Sequence, residues 1–215
     1  MSCFTITPEL IQKVADSCAL MPAVRRDGRE EDPIKVCSLA VLDFQMRGSM
    51  VERALDHFYS EAAPELGIKS LADLDRYLAS EPSDEAAAVA LWGARYWTRL
   101  AILRNLMALF LNYQREHGIG SEIEAMQTWA DGSQFKRDFQ GKVKGLGYNM
   151  FTHMQQRLGL NTAAPTGWTC HFIEETLGKT PKDNCLVDII NATADSLGTS
   201  GANLDWRIRV HQGHP

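Results

Sequence analysis

The sequence lacks the features that mark membrane and exported proteins. No apolar run reaches the roughly 18 residues that a membrane-spanning helix needs. The longest candidate, residues 100–111, is interrupted by Arg104 and Asn105. The first ten residues have neither a basic start nor an apolar stretch, which a signal peptide would show. We therefore expect a cytoplasmic protein with no membrane partner.

Metal-binding patterns are also missing. The five cysteines are odd in number and no two stand in a CxxC spacing, so reduced thiols in a reducing compartment are expected. The C-terminal half offers only Cys170 and Cys185, whereas an iron–sulfur cluster needs a tight run of thiolates. The six histidines are scattered, which argues against a zinc site. We expect neither a metal nor another cofactor.

Basic residues are in short supply. The chain has 22 lysines and arginines against 27 aspartates and glutamates, and its net charge is −5. A nucleic-acid-binding protein usually has a basic excess. Any DNA-facing surface here would therefore be a local basic patch on an acidic body.

Alternating strand patterns are almost absent, and apolar residues recur at helical spacing. Thr7 and Ser83 are positioned to cap helices, and Ser70 with Asp73 approximates a capping box. Aromatic residues at helical spacing are expected in the core rather than in a base-stacking pocket; they are Trp92, Tyr96, Trp97 and Trp129. The pattern predicts an all-α fold.

The segment of residues 135–159 carries the most specific information. It reads as a helix over 135–142, a glycine turn, and a helix over 149–158. Gly145 and Gly147 allow a sharp turn that exposes amide groups beside a helix N-terminus, which is a suitable place for an anionic oxygen. The densest basic cluster of the chain surrounds it: Lys136, Arg137, Lys142, Lys144 and Arg157. The alternative is a tight corner without a ligand.

This segment resembles the helix-hairpin-helix of the DNA glycosylase superfamily that includes endonuclease III and 8-oxoguanine DNA glycosylase. Residues 143–147, VKGLG, stand where that family has an apolar residue, often a proline, then glycine, an apolar residue and glycine. Residues 40–59 resemble the family's first core helix and its glutamine-bearing turn, with Gln45 near that glutamine. Residues 161–178 and 186–209 resemble the elements after the hairpin. The resemblance covers residues 40–209.

The resemblance implies a two-lobed helical fold in one unit of residues 1–215. Residues 84–165 would form the hairpin lobe, and residues 1–83 with 166–215 the other lobe. It also implies duplex DNA as the partner, with a backbone phosphate held at the hairpin. The DNA-binding residues it implies are Lys142, Lys144, Gly145, Gly147, Tyr148, Asn149 and Gln45. Packing on a neighbouring helix is the favoured alternative for Tyr148.

Two departures concern catalysis. The family's catalytic aspartate follows a loop proline, but Pro165 is followed by Thr166. If the alignment contains gaps, Thr169 takes the place of the aspartate, and His171 takes the place of a histidine that the family has two residues after it. The lysine of bifunctional members is replaced by Asn149. Neither threonine nor asparagine can stabilise the sugar cation or form a Schiff base. The family's catalytic roles therefore do not transfer.

Three carboxylates could substitute for the missing aspartate: Asp43, Asp188 and Asp205. Capping, ion pairing or solvent exposure is the favoured interpretation of each, and Glu174 and Glu175 read as a solvated helix face. Whether the chain is an enzyme stays open. The leading hypothesis is a DNA-binding, glycosylase-like protein without standard base excision. The alternatives are an active glycosylase with a displaced carboxylate, and a scaffold repurposed to bind a protein partner or a nucleoside.

Overall fold

A computed structural model of the chain describes residues 5–22, 29–43 and 46–213, with only the backbone described at Asp183. Regular secondary structure in these ranges is entirely helical, which confirms the predicted all-α fold class. None of the helices described is both long enough and apolar enough to cross a lipid bilayer.

The described residues form the following α-helices. In chain order they are α1 (Pro8–Ala19), α2 (Pro33–Leu42), α3 (Gly48–His57), α4 (Ala63–Leu66), α5 (Leu71–Ser80), α6 (Asp84–Trp92), α7 (Trp97–His117), α8 (Glu122–Gly132), α9 (Tyr148–Arg157), α10 (Gly167–Leu177), α11 (Asp183–Ser196) and α12 (Gly201–His211). A π-helical turn, Phe58–Ala62, joins α3 to α4, and another, Phe135–Phe139, follows α8.

The chain divides into two compact units. The middle unit is Glu30–Gly147, and the terminal unit combines Met1–Arg29 with Tyr148–Pro215. These boundaries differ from those of the predicted lobes, residues 84–165 and residues 1–83 with 166–215. Residues 30–83 belong with the middle helices because α2 packs against α7 and α8, and α3 packs against α6.

The helix boundaries follow from local signals in the sequence. Thr7, Ser70 and Ser83 cap α1, α5 and α6, as predicted. Their side-chain oxygens accept hydrogen bonds from the amides three residues later, at 3.3, 3.0 and 3.2 Å. Each such cap satisfies an amide that has no partner inside its helix. At the C-terminal end, Ser200 caps α12 in the same way, with its side-chain oxygen accepting from the Asn203 amide.

Helix α7 is the centre of the middle unit. It packs against α2, α5, α6 and α8. Its buried face repeats at helical spacing, as expected for a core helix. The residues on that face are Leu100, Leu103, Leu106, Met107 and Phe110. One long helix therefore supplies a rigid support on which the rest of the unit is assembled.

The aromatic residues divide into two groups. Trp92 and Trp129 are each 3% exposed, which confirms their predicted place in the core. Trp97 is 54% exposed, so its predicted burial is wrong. Trp97 is the first residue of α7 and lies one turn before Leu100, the first buried residue of that helix, so the buried part of α7 begins only after it.

The terminal unit has its own apolar core, built from α1, α10, α11 and α12. Its fully buried members include Val14, Cys18, Ile173, Ile189, Ile190, Leu204 and Ile208. Because α1 packs against α10 and α11, the first helix of the chain is an integral part of this unit.

The cysteines are not all free thiols. Cys185 is disulfide-bonded, whereas Cys18, Cys37 and Cys170 are free, so the expectation of a fully reduced chain is wrong. Burial raises the pKa of the Cys18 thiol to about 11, and the nearby charge of Arg207 lowers it by less. Burial also raises the pKa of Cys37. Both thiols are therefore inert at neutral pH.

Candidate nucleic-acid interface

The predicted hairpin region contains a short turn of helix followed by a longer glycine turn, residues 141–147. The helix predicted over residues 135–142 is shorter, since only Phe135–Phe139 is helical, in π geometry. The Gln140 amide donates to the Phe135 carbonyl at 2.7 Å and closes this turn. The chain then bends at Gly141, whose φ is +80°.

Two apolar side chains fix the glycine turn to the middle unit. Val143 is 1% exposed and Leu146 is 7% exposed. The Val143 amide donates to the Phe139 carbonyl at 3.4 Å. The residues around them, Lys144 and Gly147, are exposed. The turn therefore has an apolar underside and an exposed polar outer side.

Gly145 is the residue that this geometry requires. Its φ is +95°, in the region that side chains rarely adopt. A Cβ atom built on Gly145 would lie 2.8 Å from Cδ1 of Ile102, on α7. At Gly147, in contrast, an added Cβ meets nothing within 4 Å. The turn thus rests on α7 at Gly145, and only glycine fits there.

Three amide groups of the glycine turn are available to a ligand. Within the described part of the chain, the N–H groups of Lys144, Gly145 and Gly147 form no hydrogen bond. All three residues are exposed. Successive unpaired amides form a concave site for an anionic oxygen. These three backbone donors are therefore available to an anionic ligand at the surface of the turn.

The lysines of the turn carry uncompensated charge. Lys142 and Lys144 are exposed, and neither forms an ion pair with the described residues. Arg137 differs, because its guanidinium pairs with Asp138 at 2.7 Å and donates to the Gly132 carbonyl at 2.7 Å. The Arg137 hydrogen bond is the main cause that holds the pKa of Asp138 below its usual value. Lys142 and Lys144 thus place two positive charges without ion-pair partners among the described residues on the turn.

The remaining residues predicted to contact DNA are not part of the glycine turn. Tyr148 and Asn149 begin α9 in the terminal unit. The ring of Tyr148 lies 6.4 Å from the ring of Phe151 on the same helix. Oδ1 of Asn149 is buried and has no hydrogen-bond partner among the described residues. Gln45 lies outside the described residues.

The loop that precedes α10 contains Thr166, at the position where the sequence resemblance predicts the catalytic aspartate. Thr166 is the N-cap residue of α10, and its amide donates to Oγ1 of Thr169 at 3.4 Å. Thr169 is completely buried. His171 is exposed and lies 3.3 Å from Glu175 in an ion-pair geometry. The ungapped alignment thus places Thr166, and the gapped alignment Thr169, at the position of the catalytic aspartate, and neither residue is a carboxylate.

A buried ion pair holds the same loop. Asp205 is fully buried, and its Oδ2 lies 2.5 Å from Nη2 of Arg209. The other oxygen accepts a hydrogen bond of 2.8 Å from Thr169. The amide of Ala164 donates to Asp205, and its carbonyl accepts from Arg209. The carboxylate, its arginine and the loop backbone form one network.

Comparison with solved structures identifies the fold. The chain is similar to the crystal structure of the 8-oxoguanine DNA glycosylase of Thermotoga maritima, with a TM-score of 0.51 and 15% sequence identity over 96% of this chain and 87% of that one. The chain has a helical DNA-glycosylase fold. No protein-family model matches it, and no curated protein matches it.

Within this glycosylase-like fold, the three carboxylates named as substitutes have ordinary structural surroundings. The carboxylate of Asp205 forms an ion pair with Arg209, which confirms the ion-pairing interpretation. Asp188 is exposed on α11, and Asp43 is exposed at the C-terminal end of α2. Glu174 and Glu175 are exposed, as predicted. Among the described residues, no cluster of three or more histidine, cysteine, aspartate or glutamate side chains could hold a metal ion.

The sequence did not reveal the contact between Gly145 and Ile102. Ile102 lies at the edge of the apolar face of α7, where helical spacing alone leaves its partner open. The network of Asp205, Arg209 and Thr169 was also missed. Its signal was present in part, since Asp205 and Arg209 stand four residues apart and so share a helix face.

Proposed function

We propose that this chain binds duplex DNA by holding a backbone phosphate at the glycine turn, residues 141–147. The observation that carries the proposal is the set of three exposed amides, at Lys144, Gly145 and Gly147, that have no hydrogen-bond partner among the described residues. A phosphate oxygen is the anion that such a corner accommodates in a DNA-binding protein. The contact is independent of sequence, since it involves the DNA backbone only.

The charges of the middle unit support the same proposal. Lys142 and Lys144 stand on the turn without ion-pair partners among the described residues, while the chain as a whole has a net charge of −5. An acidic body repels DNA over most of its surface. Binding is therefore expected at this local patch, where long-range repulsion also limits non-specific contacts.

We further propose that the chain performs no standard base excision. Thr166 stands at the place where the resemblance puts an aspartate, and Asn149 where it puts a lysine. Asp205, the carboxylate bonded to this loop, already pairs with Arg209 inside the protein. A carboxylate in that setting is not available to a sugar cation or an attacking water.

Replacement of both turn lysines tests the binding proposal. We expect Lys142→Ala/Lys144→Ala to weaken binding to a blunt 20-base-pair duplex and to reduce the slope of log affinity against log salt by about 0.9 for each phosphate that the variant no longer neutralises. Fluorescence anisotropy with labelled duplex over a salt series measures both quantities. The matched control is Lys69→Ala, an exposed lysine of the same unit. If the wild-type protein does not bind the duplex, or binds it with an affinity that does not change with salt concentration, the proposal is contradicted.

Incubation of the protein with damaged duplexes tests the proposal that it performs no standard base excision. We expect no abasic product from oligonucleotides that contain oxidised, deaminated or alkylated bases, because losing the catalytic groups typically costs several orders of magnitude in rate. Alkali cleavage after a long incubation with excess protein measures the product. Product that accumulates with wild-type protein and disappears in Asp43→Asn or Asp188→Asn would instead establish a displaced carboxylate.

A further inference from the structure

A cavity of about 510 Å³ opens beside the glycine turn in the middle unit. The last turns of α7, the end of α8 and the π-helical turn Phe135–Phe139 surround it. Its lining includes Leu109, Tyr113, His117, Trp129, Arg137 and Lys142. Cavities of 300–1,000 Å³ commonly hold small organic ligands, so this one has the size for a nucleotide.

An aromatic surface forms one side of the cavity. The rings of Tyr113 and His117 are stacked, with centroids 4.0 Å apart and planes inclined by 24°. Nδ1 of His117 lies 2.9 Å from the Tyr113 carbonyl oxygen, which fixes the histidine ring. His117 is exposed and Tyr113 is half-buried. The stacked pair leaves the outer face of each ring uncovered by the other ring, and such a face is suited to stacking with a nucleobase.

The charged side chains that line the cavity favour a nucleotide with one phosphate. Arg137 is already neutralised by Asp138, which leaves Lys142 as the lining cation without an ion pair among the described residues. Glu116 also lines the cavity and repels further negative charge. One phosphate near Lys142 is favoured, whereas a di- or triphosphate is disfavoured.

Lys142 belongs both to the glycine turn and to the cavity. On α7, Leu109 and Tyr113 follow Ile102, the residue under Gly145, by seven and eleven positions. At 1.5 Å per residue they lie about 10 and 16 Å further along the helix axis. A stacked strand advances about 3.4 Å per nucleotide, so this distance corresponds to about three to five nucleotides.

We propose that this cavity binds a nucleotide, with its base stacked on Tyr113 and His117 and its phosphate beside Lys142. One source is an unpaired nucleotide of the strand whose phosphate the glycine turn holds, and this version rests on the function proposed above. The other source is a free mononucleotide, which needs no DNA at all. The recognising chemistry is the same in both cases: one aromatic base and one phosphate.

Three probes distinguish the sources: a blunt 20-base-pair duplex, the same duplex with a five-nucleotide single-stranded extension of either polarity, and dAMP. If the strand is the source, the extension raises affinity by about tenfold, a typical effect of one stacked base. Tyr113→Ala and His117→Ala then remove this gain and leave blunt-duplex binding unchanged. A 2-aminopurine in the extension is quenched by the wild-type protein and not by Tyr113→Ala.

The matched control is Tyr77→Ala, a half-buried tyrosine on α5 of the same unit, which should leave every measurement unchanged. If dAMP binds with an affinity that depends on Tyr113 and His117, and the extension does not raise the affinity for the duplex, the cavity binds a free nucleotide. If neither the extension nor dAMP shows any dependence on Tyr113 or His117, the cavity proposal is overturned. Blunt-duplex binding tests the glycine turn separately, so failure of one proposal is distinguishable from failure of the other.

Discussion

Replacement of Asp205 by asparagine is expected to lower the free energy of unfolding by about 3–5 kcal/mol, the usual effect of removing one partner of a buried ion pair. Asparagine has nearly the same shape and can still accept the hydrogen bond from Thr169. It cannot neutralise Arg209, which is 8% exposed and would remain as a buried, uncompensated charge. The loss of stability therefore arises from electrostatics rather than from a cavity.

Urea unfolding followed by circular dichroism measures this loss. The matched control is Asp188→Asn on α11, because this aspartate is exposed and its neutralisation should change stability by less than about 0.5 kcal/mol. In Asp205→Leu/Arg209→Met both charges are removed together, and we expect most of the stability to return. A loss below about 1 kcal/mol in Asp205→Asn would show that the pair is solvated rather than buried.

The same variant separates support of the loop from DNA binding. The Asp205 network holds Ala164 and Thr169 on either side of Thr166. If Asp205 only supports the loop, Asp205→Asn changes stability but leaves blunt-duplex affinity unchanged at temperatures where the protein is folded. The glycine turn lies in the middle unit, whose core does not include Asp205.

Replacement of Gly145 by alanine has the second largest expected effect. The positive φ of Gly145 costs an alanine about 1–2 kcal/mol, and the added Cβ would lie 2.8 Å from Cδ1 of Ile102. Relief of that contact needs a shift of the turn or of the isoleucine, which costs about 1–3 kcal/mol more. We expect a total loss of about 2–5 kcal/mol in unfolding free energy, together with weaker duplex binding, because the backbone of the turn that carries the three amides has to shift.

A double-mutant cycle separates the two causes. Ile102→Ala removes the side chain that Gly145→Ala would contact but leaves the backbone strain, so the double variant should recover only part of the stability. Gly147→Ala is the matched control, since its Cβ meets nothing within 4 Å and its φ is not positive. Equal losses in Gly145→Ala and Gly147→Ala would contradict the proposed seating of the turn on α7.

Local signals made the helical fold predictable. The caps at Thr7, Ser70 and Ser83 depend on a side chain and an amide three residues away, so sequence alone contains both partners. The glycine turn was predictable for the same reason, because the spacing of Gly145 and Gly147 constrains the backbone locally. The all-α class followed from helical periodicity over the whole chain.

Contacts between distant residues were not predictable. The support of Gly145 by Ile102 joins positions 43 residues apart in the sequence, and no local pattern specifies such a pair. The exposure of Trp97 depends on where α7 begins, which is the least reliable feature of sequence-based assignment. The cavity beside Tyr113 and Lys142 likewise requires knowledge of how α7 and the glycine turn pack together.

The seating of the glycine turn on α7 has a consequence for the thermodynamics of ligand binding. Side-chain packing of Val143, Leu146 and Ile102 orients the peptide groups before any anion arrives. A preorganised site loses little conformational entropy when it is occupied. Phosphate should therefore associate with a small entropic penalty, and calorimetry on Gly145→Ala should register a larger one for the residual binding.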